Sequence, residues 1–144
     1  IPAEPLFRSK ASFRREFFSA GDLVKRDEEG YYYIVDRKDN MVITGGEHVY
    51  PSEVEEIISQ HPKVRDVSVV GLPDDRWGEA VTAVVVLRDG ENATSEEVVE
   101  WCRGKIAGYK KPKRVIFIDY SEMPRAATGK ILHRKLRERF AEPI

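Results

Sequence analysis

The sequence predicts an α+β fold: a small three-stranded sheet with helices packed on it, preceded by a separate β-hairpin. Three observations predict it. After Asn40 the hydrophobic period changes in the order helix, strand, strand, helix, strand, helix. Two of the helical segments open on apparent capping boxes, Ser52 with Glu55 and Thr94 with Glu97. Before Asn40, two β-rich runs flank an acidic turn that ends in glycine, Asp27-Glu28-Glu29-Gly30. A length of 144 residues fits one compact domain, with little left for a second.

The elements are justified in order. Residues 1–16 are polar and broken by Pro2 and Pro5, with room for a short helical turn over Ala11 to Glu16. Leu23-Val24 and Tyr31 to Val35 form the hairpin. Asp36 to Asn40 is a polar break, and Met41 to Thr44 a short strand before Gly45-Gly46. In the first helix Val54, Ile57, Ile58 and His61 share a face, and Pro62 ends it. Val64 to Leu72 and Ala80 to Leu87 read as strands, the second apolar on both faces and so central. The second helix places Val98, Trp101, Cys102 and Ile106 on one face and stops near Gly108. Val115 to Ile118 is the third strand. The last helix runs from about Thr128, with Leu132, Leu136 and Phe140 inward and Lys135, Arg137 and Arg139 outward.

Composition excludes several classes. Apolar residues at 41% and charged residues at 34% support a core and argue against low-complexity disorder. One cysteine, Cys102, excludes an internal disulfide and makes a cytoplasmic location the expectation. The longest apolar run, Ala83 to Leu87, cannot span a bilayer. The chain opens Ile1-Pro2-Ala3, without methionine or a charged-apolar leader, and so reads as part of something longer. The hairpin's apolar run of three tyrosines has no evident partner in the rest of the chain and points the same way. Net charge is −1 but uneven: residues 100–144 carry net +7 and the rest net −8. An anionic partner for the last third, or a solvated basic face, fits this asymmetry.

Two segments stand out chemically. In Thr44-Gly45-Gly46-Glu47-His48, adjacent glycines permit positive φ and close approach of backbone to a ligand. The plain alternative is an ordinary strand-to-helix turn. In Pro124 to Lys130, a lysine follows Thr128-Gly129 on a small-residue loop before a helix, an arrangement suited to anions. It lacks the upstream glycine of a P-loop, and a solvated lysine is the plain alternative. His48, His61 and His133 lack metal-ligand spacing. Cys102 lies on an apolar face, as a core residue would.

Taken in order, seven segments resemble the C-terminal part of adenylate-forming enzymes (the ANL superfamily of acyl-CoA and aryl-CoA synthetases, peptide-synthetase adenylation domains and luciferases). They are Ser19 to Leu23, Asp36 to Asp39, Gly45-Gly46-Glu47 with Tyr50 to Glu55, Gly71 to Asp74, Trp77-Gly78-Glu79, Tyr109 to Lys113, and Pro124 to Lys130. The resemblance spans about residues 17–140. It implies an ATP-dependent ligase that adenylates a carboxylic acid and then passes the acyl group to coenzyme A. It implies that residues 1–38 are the tail of a large N-terminal domain and residues 39–144 a mobile lid.

The roles it implies are specific. Asp22 would accept hydrogen bonds from the ribose hydroxyls, and Arg37 would reach the ribose and phosphate region. Asp39 would be the hinge. Lys130 would bridge carboxylate and α-phosphate in the first step. Gly45, Gly46 and Glu47 would line the pantetheine arm in the second. Trp77, Tyr109 and Lys111 would lie near the nucleotide end of coenzyme A, with core packing a close second reading for Trp77. Magnesium would be held mainly by the large domain. Ala20, Asn40 and His48 depart from the common threonine, aspartate and asparagine of the family. Two alternatives stay open: a carrier-protein phosphopantetheine as acceptor thiol, and a basic nucleic-acid-binding module. Against the latter, the acidic first part opposes a polyanion and no basic-aromatic platform is visible.

Overall fold

The computed structural model describes residues 13–14 and 17–141. The Ala11 to Glu16 turn falls mostly outside them; Phe13–Arg14 (β1) is a strand, paired antiparallel with Phe17–Phe18 (β2). The chain divides into two units, Ile1–Asp39 and Asn40–Ile144.

In the first unit, β3 (Asp22–Arg26) and β4 (Tyr32–Arg37) pair antiparallel as the hairpin expected from sequence. Asp27 organises its turn by accepting the Tyr31 N–H at 2.9 Å. Val24, Tyr31, Tyr32, Tyr33 and Ile34 are all exposed. A two-stranded ribbon has no second layer in which to bury such residues.

The second unit has a five-stranded sheet. β7 (Val64–Asp74) pairs antiparallel with β8 (Gly78–Leu87), and β9 (Arg114–Phe117) runs parallel to β8 on its other side. β5 (Val42–Thr44) touches the start of β8 through Thr44 and Gly78, and β6 (Glu47–Val49) extends the sheet beyond β5. The α+β class holds, and the sheet is larger than the three strands expected. The reason lies in Gly45 and Gly46, with φ of 58° and 85°. Two successive left-handed residues make a two-residue hairpin turn, so Glu47 to Val49 folds back along β5 instead of leading straight into a helix.

Helices cover both faces of the sheet. α1 (Pro51–Ser59) and α2 (Ser95–Trp101) pack on one side, around Val54, Ile58, Val69, Ala83, Val85 and Val98. α3 (His133–Phe140) covers the other through Leu136, against Val70, Leu72, Val84 and Val86. β8 is therefore buried on both faces, as its apolar run predicted.

Helix starts differ in two of three cases. Thr94 and Glu97 form the expected capping box on α2. On α1 the cap is Tyr50 with Pro51 at the first helical position, where a missing N–H costs nothing. Glu55 is drawn instead to the sheet and α3: its Oε1 accepts the Val69 N–H at 2.8 Å and lies 2.8 Å from His133 Nε2. α3 begins at His133, not near Thr128, because Arg125 and Ile131 pair across a closed loop. α2 also ends early, at Trp101; Gly104, with φ 72°, helps turn the chain away.

Cys102 is fully buried, and burial pushes its thiol pKa up. Trp101 donates its indole N–H to the Ile57 carbonyl at 2.8 Å and meets the His61 ring edge-on at 4.9 Å. His61 Nδ1 accepts the Lys63 N–H at 3.2 Å, which requires an unprotonated nitrogen. Burial, then the positive charge of Lys63, lowers the His61 pKa from its ordinary 6.5, with a further contribution from Lys105. The unfolded chain thus takes up this proton more readily, so the stability is present above pH 6.5 and is lost as pH falls through the lower folded value. The urea midpoint is expected to drop from about pH 7 to about pH 5. His61→Phe, which keeps a ring edge against Trp101, is expected to flatten that slope.

Candidate functional site

The chemistry-bearing residues fall into three places. The first is the open end of the hairpin in the first unit. Register sets Asp22 opposite Arg37, and Arg37 Nε lies 3.7 Å from Asp22 Oδ1. The Arg37 guanidinium also donates to the Ala20 carbonyl at 3.5 Å, so Ala20 contributes through its backbone. Both side chains keep surface free for a ligand, with Arg37 64% and Asp22 35% exposed. Asp39 follows in a short 3-10 turn over Lys38–Asn40, at the last residue of the first unit.

The second place is the edge where β5 meets β8. Asp74 Oδ1 accepts the N–H groups of Arg76 and Trp77, both at 3.0 Å, and so shapes the β7–β8 turn. That turn lays Trp77 on the Gly-Gly loop: the Gly45 N–H donates to the Trp77 carbonyl at 2.8 Å. A Cβ on Gly45 would meet the Trp77 ring at 3.0 Å, and one on Gly46 would meet nothing within 4 Å. Glu79 locks the other side by accepting the Ile43 N–H at 2.7 Å, over a Gly71 that a side chain would crowd. Close packing thus explains Gly45 and Gly71, and positive φ, 85° and 78°, explains Gly46 and Gly78. Trp77 is 36% exposed, which sets aside the core-packing reading.

One residue of this edge was passed over in the sequence. Lys113 Nζ lies 4.6 Å from the centre of the Trp77 ring and 3.3 Å from Thr44 Oγ1. Its signal was present as the last lysine of Tyr109 to Lys113, but no pattern in that segment tells three lysines apart. The fold separates them. Lys110 is consumed by Glu53 at 2.8 Å, a hydrogen bond that raises its pKa. Lys111 is half-buried, while Tyr109 and Lys113 are exposed. The Lys113 N–H donates to the Val81 carbonyl, which anchors this segment beside β8. Arg76 also approaches the Trp77 ring, at 4.7 Å.

The third place is the loop from Pro124 to Lys130. Its hydrogen bonds run from Ala126 N–H to the Lys130 carbonyl and from Gly129 N–H to the Ala126 carbonyl, both 2.8 Å. Lys130 is exposed, and among the described residues nothing engages its ammonium. It sits three residues before α3, so the lysine, and not a helix terminus, supplies the positive charge.

The second and third places lie apart. Arg125 of the lysine loop pairs with Asp66 near the start of β7, whereas the Trp77 turn follows Asp74 at its end. Eight residues of extended strand between those two aspartates span about 26 Å. Among the described residues there is no group of three His, Cys, Asp or Glu side chains placed to hold a metal ion. No helix among them is long and apolar enough to cross a membrane.

Residues 53–130 match the AMP-binding enzyme C-terminal domain, a stretch that ends on Lys130. The chain belongs to this family. The long-chain-fatty-acid–CoA ligase FadD13 of Mycobacterium tuberculosis is 43% identical over 136 residues, covering 94% of this chain and 26% of that ligase. The 2-succinylbenzoate–CoA ligase of Bacillus cereus is 40% identical over 134 residues, covering 93% and 27%. The crystal structure of ATP-bound MatB from Rhodopseudomonas palustris superimposes with a TM-score of 0.85 at 41% identity, over 94% of this chain and 27% of that one. The chain therefore spans about a quarter of the length of the relatives it matches.

If the Gly45–Trp77 contact sets the loop, Gly45→Ala is expected to destabilise by about 1–3 kcal/mol through positive φ and the ring clash. It should also shift the tryptophan emission. Gly46→Ala, with the backbone strain alone, should leave the emission near wild type. Urea unfolding followed by fluorescence checks both.

Proposed function

We propose that this chain is the mobile C-terminal lid, with residues 1–38 as the tail of a large domain, of an ATP-dependent ligase acting on a carboxylic acid and coenzyme A. The observation that carries this reading is the separation of Lys130 from the Gly45–Trp77–Lys113 edge along one strand. The aspartates that anchor the two elements, Asp66 and Asp74, stand about 26 Å apart along β7, so in a single pose the two ends of that strand face different places. A two-step reaction with a rotation between the steps uses each in turn.

In the first step the carboxylate oxygen attacks the α-phosphorus of ATP, the bond to the β-phosphate oxygen breaks, and pyrophosphate leaves. Lys130 stabilises the negative charge between the two anions as they approach. Its ammonium suits the task because a compact charge can donate in several directions. Asp22 and Arg37 hold the ribose. In the second step the coenzyme A thiolate attacks the acyl carbon and AMP departs with the oxygen. The Gly45-Gly46 turn admits the pantetheine arm beside Glu47. Trp77 offers an aromatic face and Lys113 a charge toward the nucleotide end, with Tyr109 and Lys111 on the segment leading to Lys113.

Asp39, at the junction of the two units, serves as the hinge. Magnesium is supplied by the large domain, and the enzyme works in the cytoplasm, in keeping with its lone, buried thiol. Coenzyme A is favoured over a carrier-protein thiol because the relatives are named as CoA ligases. A nucleic-acid module is disfavoured by the pairing of the basic third. Arg103, Lys110, Arg114, Arg125, Arg134 and Arg139 each sit within 4 Å of a carboxylate.

In the full-length protein Lys130→Ala is expected to slow pyrophosphate release by about 100-fold or more. It should leave thioester formation from supplied acyl-adenylate intact. Trp77→Ala and Lys113→Ala should instead raise the KM for coenzyme A and leave pyrophosphate release unchanged. The reverse pattern would overturn the assignment.

A further inference from the structure

We propose that Arg125 is a positioning residue for Lys130, acting as the strut that aims the lysine loop. This rests on the reading of Lys130 as the lysine of the adenylation step. The loop itself is made of residues with little grip: Ala126, Ala127 and a Gly129 with φ 86°. Its backbone hydrogen bonds, Ala126 to Lys130, Gly129 to Ala126 and Leu132 to Pro124, all close within the segment. They set the shape of the loop and leave its direction relative to the sheet open.

Met123 and Ile131 seat the two ends of the loop in the core, and Arg125 fixes the peptide between them that precedes Lys130. One arm of its guanidinium, Nη1, donates to the Gly129 carbonyl at 2.9 Å, on the peptide that carries the nitrogen of Lys130. The other arm, Nη2, pairs with Asp66 Oδ2 on β7. The guanidinium also lies over the Tyr120 ring, 5.2 Å from its centre. The side chains are 30% exposed for Arg125 and 20% for Asp66, so the pair is partly shielded and screened less than a fully exposed pair. A rigid planar fork thus connects the peptide next to Lys130 to the central strand pair. A lysine side chain has four rotatable bonds, so an error in the direction of its Cα grows toward the ammonium. Misplacing a charge by about 1 Å can cost about 100-fold in rate.

The strut is distinct from a general packing role in three ways that kinetics can read. It acts only on the step that uses Lys130. It acts on kcat, because an interaction made in the transition state is lost while ATP still binds. It acts through Lys130, so removing the lysine should abolish its effect.

The test uses the full-length protein with Arg125→Ala, Arg125→Lys, Asp66→Asn, Lys130→Ala and the double variant Arg125→Ala/Lys130→Ala. Single-turnover pyrophosphate release and thioester formation from supplied acyl-adenylate are followed separately. Arg125→Ala is expected to slow adenylation by about 10- to 100-fold with an unchanged KM for ATP and an unchanged thioester step. Arg125→Lys should recover only part of this, since one ammonium cannot span both Asp66 and the Gly129 carbonyl. Asp66→Asn should move in the same direction by less. In the Lys130→Ala background Arg125→Ala should add nothing. Where Arg125→Ala does not fold, judged by loss of the thioester step, Arg125→Lys carries the same comparison.

Normal adenylation by Arg125→Ala beside a slow Lys130→Ala overturns the strut alone. An equal loss from Arg125→Ala with and without Lys130 also overturns it. An unaffected Lys130→Ala enzyme overturns the reading of Lys130, and the strut with it.

Discussion

The antiparallel pairing of β7 with β8 is the constraint on which the second unit depends. Ten registered positions, from Val64 opposite Leu87 to Asp74 opposite Gly78, hold two long valine-rich strands together. β8 is closed on its other edge by β9 and β5, and both faces are covered by helices. Buried on both faces, β8 has its backbone groups met by neighbouring strands and its side chains by α1, α2 and α3. The rest of the unit hangs from this slab. A rigid slab matters because it turns the spacing between two loops into a fixed distance.

Polar residues then work mainly as fasteners between layers. Glu55 joins α1 to β7 and to the start of α3 through Val69 and His133. Glu79 ties β8 to β5 through Ile43. Asp74 shapes the turn that carries Trp77, and its Oδ2 lies 3.5 Å from Arg114. In each case a carboxylate accepts a backbone N–H, which is directional and stronger than a neutral hydrogen bond. Six of the twelve cations in residues 100–144 sit within 4 Å of a carboxylate, and Lys130 is among those that have no partner among the described residues.

Much of this was legible in the chain. The valine runs announced buried strands, Thr94 and Glu97 announced α2, and the acidic turn announced the hairpin of the first unit. The order of seven motifs announced the family. Other features were not legible, for definable reasons. Ser52 and Glu55 have the spacing of a capping box, yet Glu55 faces a partner 14 residues away and another 78 away. Local pattern cannot weigh a tertiary acceptor against a local one. Thr44 to Glu47 had the signature of a Gly-Gly hairpin turn between alternating residues, and its short strands hid it behind the helix that follows.

The sequence by itself determined the class of fold, the central strand and the family. Those follow from period, composition and local chemistry. Only the tertiary structure decided which of three lysines stands beside Trp77, that Lys130 precedes its helix instead of opening it, and that Arg125 reaches both Asp66 and the peptide before Lys130. These depend on distances between residues 36 to 69 positions apart for the lysines' partners and 59 for the arginine's. Such distances are set by sheet register and packing, which are properties of the assembled layers and not of any one segment.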